Sequence, residues 1–406
     1  MGDRVSILLV GIGGYGYYYL KTLLEEVPPE RFVISGIVDP IAEKSGLYEQ
    51  VKQLNIPIFS RIEDFYKKGL AADLVVVSSP IQFHVHQSCV ALKNGSNVLC
   101  DKPIAATVQE VDEFIKVRDE SGKWVMIGYQ WSYSKAIQEL KKDIMSGLFG
   151  KPIRLTSFFL TPRTDEYYQR NNWAGKIKDA QGRWVLDSPI NNALAHFLHN
   201  MFYVLGSAVD RSAVPVKVIA ESYRVNPIEN YDTGICRAFT EEGTEVLFYA
   251  AHSTYNKVGP KFRFEFEDAL ITYGEIHDEI VAEDKNGNRK NYGSPDDDHQ
   301  FLKLFKAIET VKEPKPVVCG LEAARSQTLC INGVQESVTE IVTLPGSMTF
   351  RDESQHRWWA DGVDFALCEC YRKSQMPHEA NYDWARAGKY VDLTHYQYFP
   401  GGYKSE

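Results

Sequence analysis

Three groups of residues in this 406-residue chain have the types and spacing to do chemistry. The first is Gly11-Ile12-Gly13-Gly14-Tyr15-Gly16, a G-x-G-x-x-G pattern between the apolar run Val5–Val10 and a segment, Tyr17–Leu24, with an apolar face. A strand, a glycine turn and a helix start make a cradle for a dinucleotide pyrophosphate. One glycine turns tightly, the second lets backbone approach phosphate, the third lets helix pack on strand, and the helix dipole favours the anion. Asp39 ends the next apolar run, 39 − 16 = 23 residues past the last glycine. An acid there binds ribose hydroxyls and repels a 2′-phosphate, so NAD is expected over NADP.

The second group follows two further apolar runs. Asp101-Lys102-Pro103 comes after Asn97–Cys100, and Ser79-Pro80 with His84 comes after Asp73–Ser78. A lysine at the carboxyl end of a parallel strand can bond a substrate hydroxyl and the nicotinamide edge together, and its charge would stabilise a developing alkoxide. Pro103 directs Lys102 into an extended conformation. His84 reads as cofactor-site architecture, capping the next helix or touching the cofactor. Taken alone, Lys102 would be a solvated loop residue.

The third group lies in Ser188–Asn200, read as one helix on which Asn192 and His196 sit four apart on one face. An imidazole near a bound alcohol is a natural general base. His199 is an alternative, although three positions along it should point elsewhere. With no neighbouring acid and no H-E-x-x-H pattern, the two histidines imply no metal. A histidine on an apolar helix is more often a packed core residue, so His196 gains weight only from its company.

The elements that must position these groups divide the chain. Residues 1–127 alternate strand and helix, the rhythm of a doubly wound parallel sheet, a Rossmann α/β domain. Residues 128–348 read as an α+β domain with a large open, mostly antiparallel sheet flanked by helices. Val216–Arg224, Gly234–Thr240, Glu245–Ser253 and the alternating Phe262–Glu267 are its strand candidates, with helices near 135–146, 298–308 and 321–339. Its exposed face needs a cover, and a second subunit is the expected one, giving a homo-oligomer (dimer or tetramer) through that sheet. Residues 349–406 form an aromatic-rich extension that packs on the core or on a neighbouring subunit.

Composition narrows the classes. A net charge of −9 leaves no basic surplus for nucleic acid or an anionic membrane. No apolar run approaches the ~20 residues of a membrane span. The opening Met1-Gly2-Asp3-Arg4 runs straight into the first strand, so no signal peptide is expected. Seven scattered cysteines read as reduced thiols in a cytoplasmic protein.

Together these motifs resemble the Gfo/Idh/MocA family of NAD(P)-dependent oxidoreductases. The resemblance rests on G-I-G-G-Y-G, Asp39, S-P-x-x-x-H and above all Ala91–Pro103, A-L-K-N-G-S-N-V-L-C-D-K-P, where the family reads A-L-x-A-G-x-x-V-x-x-E-K-P. It runs to about residue 345, with Val125–Gln130 as the crossover between domains and Ser146–Ile153 as the G-x-x-G-x-I turn. It implies that Lys102 is the E-K-P lysine and His196 the catalytic histidine. Asn192 then stands where many members have aspartate, and an amide orients an imidazole without raising its basicity. The cofactor contacts expected on this reading are Gly11, Gly13, Gly14, Tyr15, Gly16, Asp39, Ser79, Pro80, His84, Asp101 and Lys102. Tyr129, Gln130 and Trp131 are expected in the inner pocket wall. Arg163–Gly175 is dense in hydrogen-bonding groups and flat rings that suit a polyhydroxylated ligand, with Tyr168, Arg170 and Trp173 as picks and His199 beside them. The implied reaction is hydride transfer between NAD and a secondary hydroxyl of a sugar, glycoside or cyclitol. Two rivals stand: an enzyme that retains NAD and uses transient oxidation for glycoside cleavage, and a non-catalytic NAD-binding regulator.

Overall fold

The computed structural model of the chain describes residues 4–402. Met1–Asp3, on which the signal-peptide reading rests, and the last four residues of the aromatic extension lie outside them. In chain order the elements are β1 (Val5–Val10), α1 (Tyr15–Glu25), β2 (Phe32–Val38), α2 (Tyr48–Gln53), β3 (Ile58–Phe59), α3 (Ile62–Lys67), β4 (Leu74–Val77), α4 (His84–Lys93), β5 (Asn97–Cys100), α5 (Val108–Ser121) and β6 (Val125–Ile127). There follow α6 (Lys135–Met145), β7 (Pro152–Leu160), α7 (Asp165–Gln169), α8 (Ala195–Val204), β8 (Pro215–Arg224), β9 (Thr233–Thr240), β10 (Glu245–Ala251), β11 (Val258–Phe266), β12 (Ala269–Tyr273), β13 (Ile280–Asp284) and β14 (Arg289–Gly293). The chain ends through α9 (Leu302–Lys312), α10 (Leu321–Ser337), β15 (Val342–Thr343), β16 (Thr349–Asp352), β17 (Arg357–Ala360), α11 (Val363–Lys373) and β18 (Val391–Asp392).

Two compact units result. Unit 1 holds the chain through Ala105, Gln109–Ser134 and Asp298–Ala324; unit 2 holds Ala106–Val108, Lys135–Asp297 and the chain from Arg325. The sheet of unit 1 is parallel with order β3-β2-β1-β4-β5-β6. Its central strands β1 and β4 are almost wholly buried, as continuous apolar runs with helices on both faces must be. The order reverses between β1 and β4, so the loops after these strands flank the crevice where such sheets bind ligands. The domain reading drawn from the sequence ended this unit at residue 127. The structure instead returns α9 to it, because Phe301 stacks on Tyr15 with ring centroids 5.5 Å apart and Lys303 reaches a buried carboxylate.

Unit 2 is built on a ten-strand sheet with the path β14-β13-β12-β11-β7-β10-β9-β8-β15, on which β18 also pairs β8. Most pairings are antiparallel; β7–β10 and β8–β15 are parallel. On one face Phe158, Leu160, Ile219, Tyr223, Ile235, Leu247 and Tyr249 form a continuous apolar surface. Part of the cover for this face comes from within the chain. Val363, Leu367, Cys370 and Tyr371 of α11, with Met376 after it, pack into that same cluster, so the aromatic extension of this chain supplies the cover. The β11–β13 part of the face carries Arg263, Glu265 and Glu283, which keep solvent contact.

Candidate cofactor cradle and catalytic residues

In unit 1 the cradle is made of backbone. Gly11 and Gly14 adopt φ of +85° and +49°, which L side chains rarely adopt. A Cβ on Gly16 would lie 2.2 Å from the Gly11 carbonyl oxygen and 2.7 Å from Ser78 Oγ, so only glycine lets α1 begin this close to β1. At Gly13 and Gly14 the opposite holds: a Cβ would meet nothing within 4 Å. The amides of the first turn of α1 are met by no side-chain cap, and that turn contains no acid, leaving donors and positive dipole for an anion. Asp39 accepts from the amides of Ile12 (2.9 Å) and Ile41 (3.0 Å), which draws the glycine loop onto the tip of β2. Open space, unused amides and an acid at the second strand tip fit a dinucleotide.

The loops after β4 and β5 are stapled together. Buried His84 has Nε2 2.7 Å from the Ser79 carbonyl and Nδ1 2.8 Å from that of Pro103. Burial, the largest cause, draws its pKa below the usual histidine value, and the two carbonyls it meets oppose that shift. Ser79 turns its hydroxyl to Gln87, and Pro80 precedes a short 3-10 turn. Lys102 is half-buried, and a cis peptide bond joins it to Pro103.

Asp101 departs from expectation. Its carboxylate is not offered to a cofactor: Oδ1 lies 3.2 Å from the Tyr19 hydroxyl and 3.3 Å from Lys303 Nζ. Lys303 also donates to the Gly128 carbonyl (3.0 Å) and reaches the Tyr15 hydroxyl (3.4 Å). Burial alone would pull the Lys303 pKa down; Asp101 and Tyr15 outweigh it and hold it raised. Tyr15, also expected at the cofactor, has its hydroxyl on this pair and its ring against Phe301. Nothing in the amphipathic pattern around Lys303 marks it as the partner. Tyr129 and Trp131 turn away from solvent. Both are buried packing residues after β6, and only Gln130 of that trio keeps appreciable surface.

In unit 2, Asn192 and His196 do not share one regular helix. Pro189–Ala193 form a wide π turn, started by Ser188 Oγ accepting from the Asn191 amide at 3.2 Å, and α8 begins only at Ala195. The break leaves Asn192 and His196 both half-buried. Asn192 Nδ2 donates to Asp187 Oδ1 at 2.7 Å, and Asp187 Oδ2 accepts from the Gly175 amide at 2.6 Å with Arg170 Nη2 3.8 Å away. Asp187 is only 2 % exposed. The carboxylate missing at position 192 is therefore present one hydrogen bond away. Sequence reasoning passed over Asp187; an acid between the apolar Trp184-Val185-Leu186 and a proline turn was the available signal.

Around this network the Arg170 guanidinium lies 3.8 Å from the Tyr167 ring centre and 5.3 Å from that of Trp173, and Arg163 lies 4.6 Å from Tyr167. Burial, then the Asp187 charge, pushes the Tyr167 hydroxyl up to about 12. His252, 5.5 Å from Tyr167 between ring centres, has Nδ1 3.0 Å from the Thr161 carbonyl. Burial and then Arg163 pull it down to about 3, so it is neutral. His199 is a core residue, which corrects its place among substrate contacts. It is 1 % exposed, stacks on Tyr203, and burial followed by Lys141 drives its pKa well below the usual value. Among the described residues no group of three or more His, Cys, Asp or Glu is placed to hold a metal, and no helix is long and apolar enough to cross a membrane.

Residues 5–129 match the model of the GFO_IDH_MocA family, an oxidoreductase family with an NAD-binding Rossmann fold. That match covers under a third of the chain. The chain is 29 % identical over 161 residues to scyllo-inositol 2-dehydrogenase (NAD(+)) of Bacillus subtilis, covering 39 % of this chain and 45 % of that protein. It is 27 % identical over 147 residues to 2,7-anhydro-N-acetylneuraminate hydratase of Mediterraneibacter gnavus, covering 36 % and 37 %. It thus spans less than half the length of these relatives. Beyond that stretch the fold is shared. The WlbA dehydrogenase of Bordetella pertussis, solved with NADH and UDP-GlcNAcA, superposes with a TM-score of 0.65 at 20 % identity over 80 % of this chain and 93 % of its own.

Proposed function

We propose that this chain is an NAD-dependent oxidoreductase that moves a hydride reversibly between NAD and a secondary hydroxyl of a sugar, glycoside or cyclitol. The observation that carries the reading is the presence, in a chain with an NAD-binding domain, of a half-buried histidine four residues beyond an asparagine that a buried carboxylate holds. NAD, when bound, supplies the hydride acceptor. The residues of the chain do the rest. The amides of Gly13 to Tyr15 bind pyrophosphate and Asp39 selects an unphosphorylated ribose. Lys102 bonds the reacting hydroxyl and stabilises the charge that develops on its oxygen. His196 takes the proton, with Asn192 orienting the substrate hydroxyl or the ring and Asp187 fixing Asn192. Inositol and UDP-sugar dehydrogenases among the relatives and structural neighbours support a polyhydroxylated substrate.

The test is NADH formation by the full chain with a panel of cyclitols, sugars and glycosides, run beside Lys102→Ala and His196→Ala. A signal reduced at least ~100-fold in both variants is expected for a charge stabiliser and a general base. NAD binding without NADH formation from any member of the panel overturns it. The hydratase relative favours one second reading, in which NAD stays bound and turnover shows no net oxidation; co-purified NAD with a consumed glycoside and no NADH would establish it. The unpaired cysteines and the acidic net charge support a cytoplasmic home. A homo-oligomer is proposed through the β11–β13 part of the sheet, the region that the α11 cluster leaves open, with sedimentation of the full chain as its check.

A further inference from the structure

Most polar side chains of unit 2 have partners, and two buried ones that do not lie on one cleft. A cavity of about 250 Å³ is bordered by residues 165–176 and by the turn Asn226-Pro227-Ile228. Asn226 is 2 % exposed; its Nδ2 donates to Asp232 at 2.8 Å, while its Oδ1 has no hydrogen-bond partner among the described residues. The Tyr168 hydroxyl on the same wall is also buried without a partner. A buried polar atom left unpaired is costly, so two on one cleft mark a place where a ligand makes good the loss. Gln169, Asn172 and Lys176 add exposed amides and an ammonium at the margin. Asp165, the acid of the wall, is bound to Arg351 at 2.9 Å, so the cleft does not select a cation.

The chemistry defines the ligand. A carbonyl acceptor, a hydroxyl that gives or takes a proton, and amides that do both match a ring bearing several hydroxyls, while Pro227 and Ile228 offer apolar surface to its C–H face. The volume is a little below the ~300 Å³ lower bound of drug-sized pockets, which suits one ring. We propose that this cleft is a subsite for one hexopyranose ring. The inference rests on the reading of the chain as an enzyme of sugars and glycosides, and makes the ring a glycosyl unit joined to the one that reacts. A free monosaccharide has the same chemistry, and the test separates the two.

Binding is measured on the full chain without NAD, by saturation-transfer NMR and calorimetry, using the methyl glycosides of glucose, galactose and mannose, and cellobiose. Tyr168→Phe deletes only an oxygen that bonds nothing in the protein, so it should fold with an unchanged or raised melting temperature. It should weaken sugar binding about tenfold, the loss of one hydrogen bond. Cellobiose binding at least about tenfold tighter than the methyl glucoside, with that advantage lost in Tyr168→Phe, assigns the cleft to a glycosyl unit; equal affinities assign it to a free monosaccharide. Failure of every probe to bind, or binding that Tyr168→Phe and Gln169→Ala leave unchanged, overturns the subsite. Because NADH is not read, a failed dehydrogenase assay and a failed subsite give different results.

Discussion

The two units carry their candidate chemistry in different materials. In unit 1 the groups offered to a ligand are peptide amides of Gly13–Tyr15, and side chains shape the backbone around them: Asp39 on Ile12, Ser78 on Gly11, His84 from Ser79 to Pro103. In unit 2 the candidate groups are side chains, Asn192 and His196, placed where a π turn gives way to α8, with Asn192 steadied by buried Asp187. A backbone site is broken by adding atoms. A side-chain site is broken by taking a partner away.

The largest effect should come from the first kind. Gly16→Ala puts a Cβ 2.2 Å from a carbonyl oxygen that cannot move without shifting β1 or α1. Overpacking of this kind costs about 1–3 kcal/mol, and here the strain falls on the loop that must meet the pyrophosphate. NAD affinity, read by fluorescence titration, should fall by ~100-fold or more, while Gly13→Ala, which meets nothing within 4 Å in the protein, should fold normally. Equal affinity in Gly16→Ala and the parent chain would mean that the close approach of α1 to β1 has no part in binding.

The matching change in unit 2 is Asp187→Asn. The carboxylate accepts from the Gly175 amide on one oxygen and from Asn192 on the other. A carboxamide has a single acceptor oxygen, so one of these donors must face an N–H. Asn192 should lose its fixed position, with turnover reduced roughly 10- to 100-fold, as misplacement of a catalytic group by about 1 Å does. The KM for NAD should be unchanged, since the glycine cradle is untouched, and the pH profile of kcat should shift, which a merely structural role would not produce. Unaltered kcat and pH profile would remove Asp187 from the mechanism.

The same contrast governs what was legible in the sequence. Backbone geometry writes itself into residue type. Glycines at 11, 14 and 16 answer to positive φ or close approach, and an apolar run without alternation marks a strand buried on both faces. Side-chain partnerships leave a fainter trace. Nothing in the local pattern joins Asp101 to Lys303, 202 residues away, and the π turn at Pro189–Ala193 reads as plain helix because its residues have helical spacing. The cover of the large sheet was legible as a need, with the source of the cover left open between the chain's own extension and a neighbour. The apolar alternation demanded a cover, but not which chain provides it, and α11 meets the demand from within.

The smallest predicted effect separates the units by their response to acid. Unit 2 buries His252 in neutral form, its pKa drawn down to about 3 from the ordinary 6.5 by burial and then by Arg163. In the unfolded chain this imidazole takes a proton below pH ~6.5, whereas in the folded chain it stays neutral until about pH 3. Between these limits the unfolded state binds the extra proton, so folding stability falls as pH drops through that window and is unaffected above it. For this one group the loss between pH 7 and pH 5 is about 2 kcal/mol. Gln in place of His252 keeps an amide N–H for the Thr161 carbonyl and removes the titration. Urea midpoints at the two pH values should therefore converge in His252→Gln for the transition that reports unit 2. The glycine cradle offers no titrating group among its amides, so NAD binding by the variant should follow the same pH dependence as the parent. Parallel stability curves in variant and parent would show that His252 is protonated in the folded chain as readily as in the unfolded one.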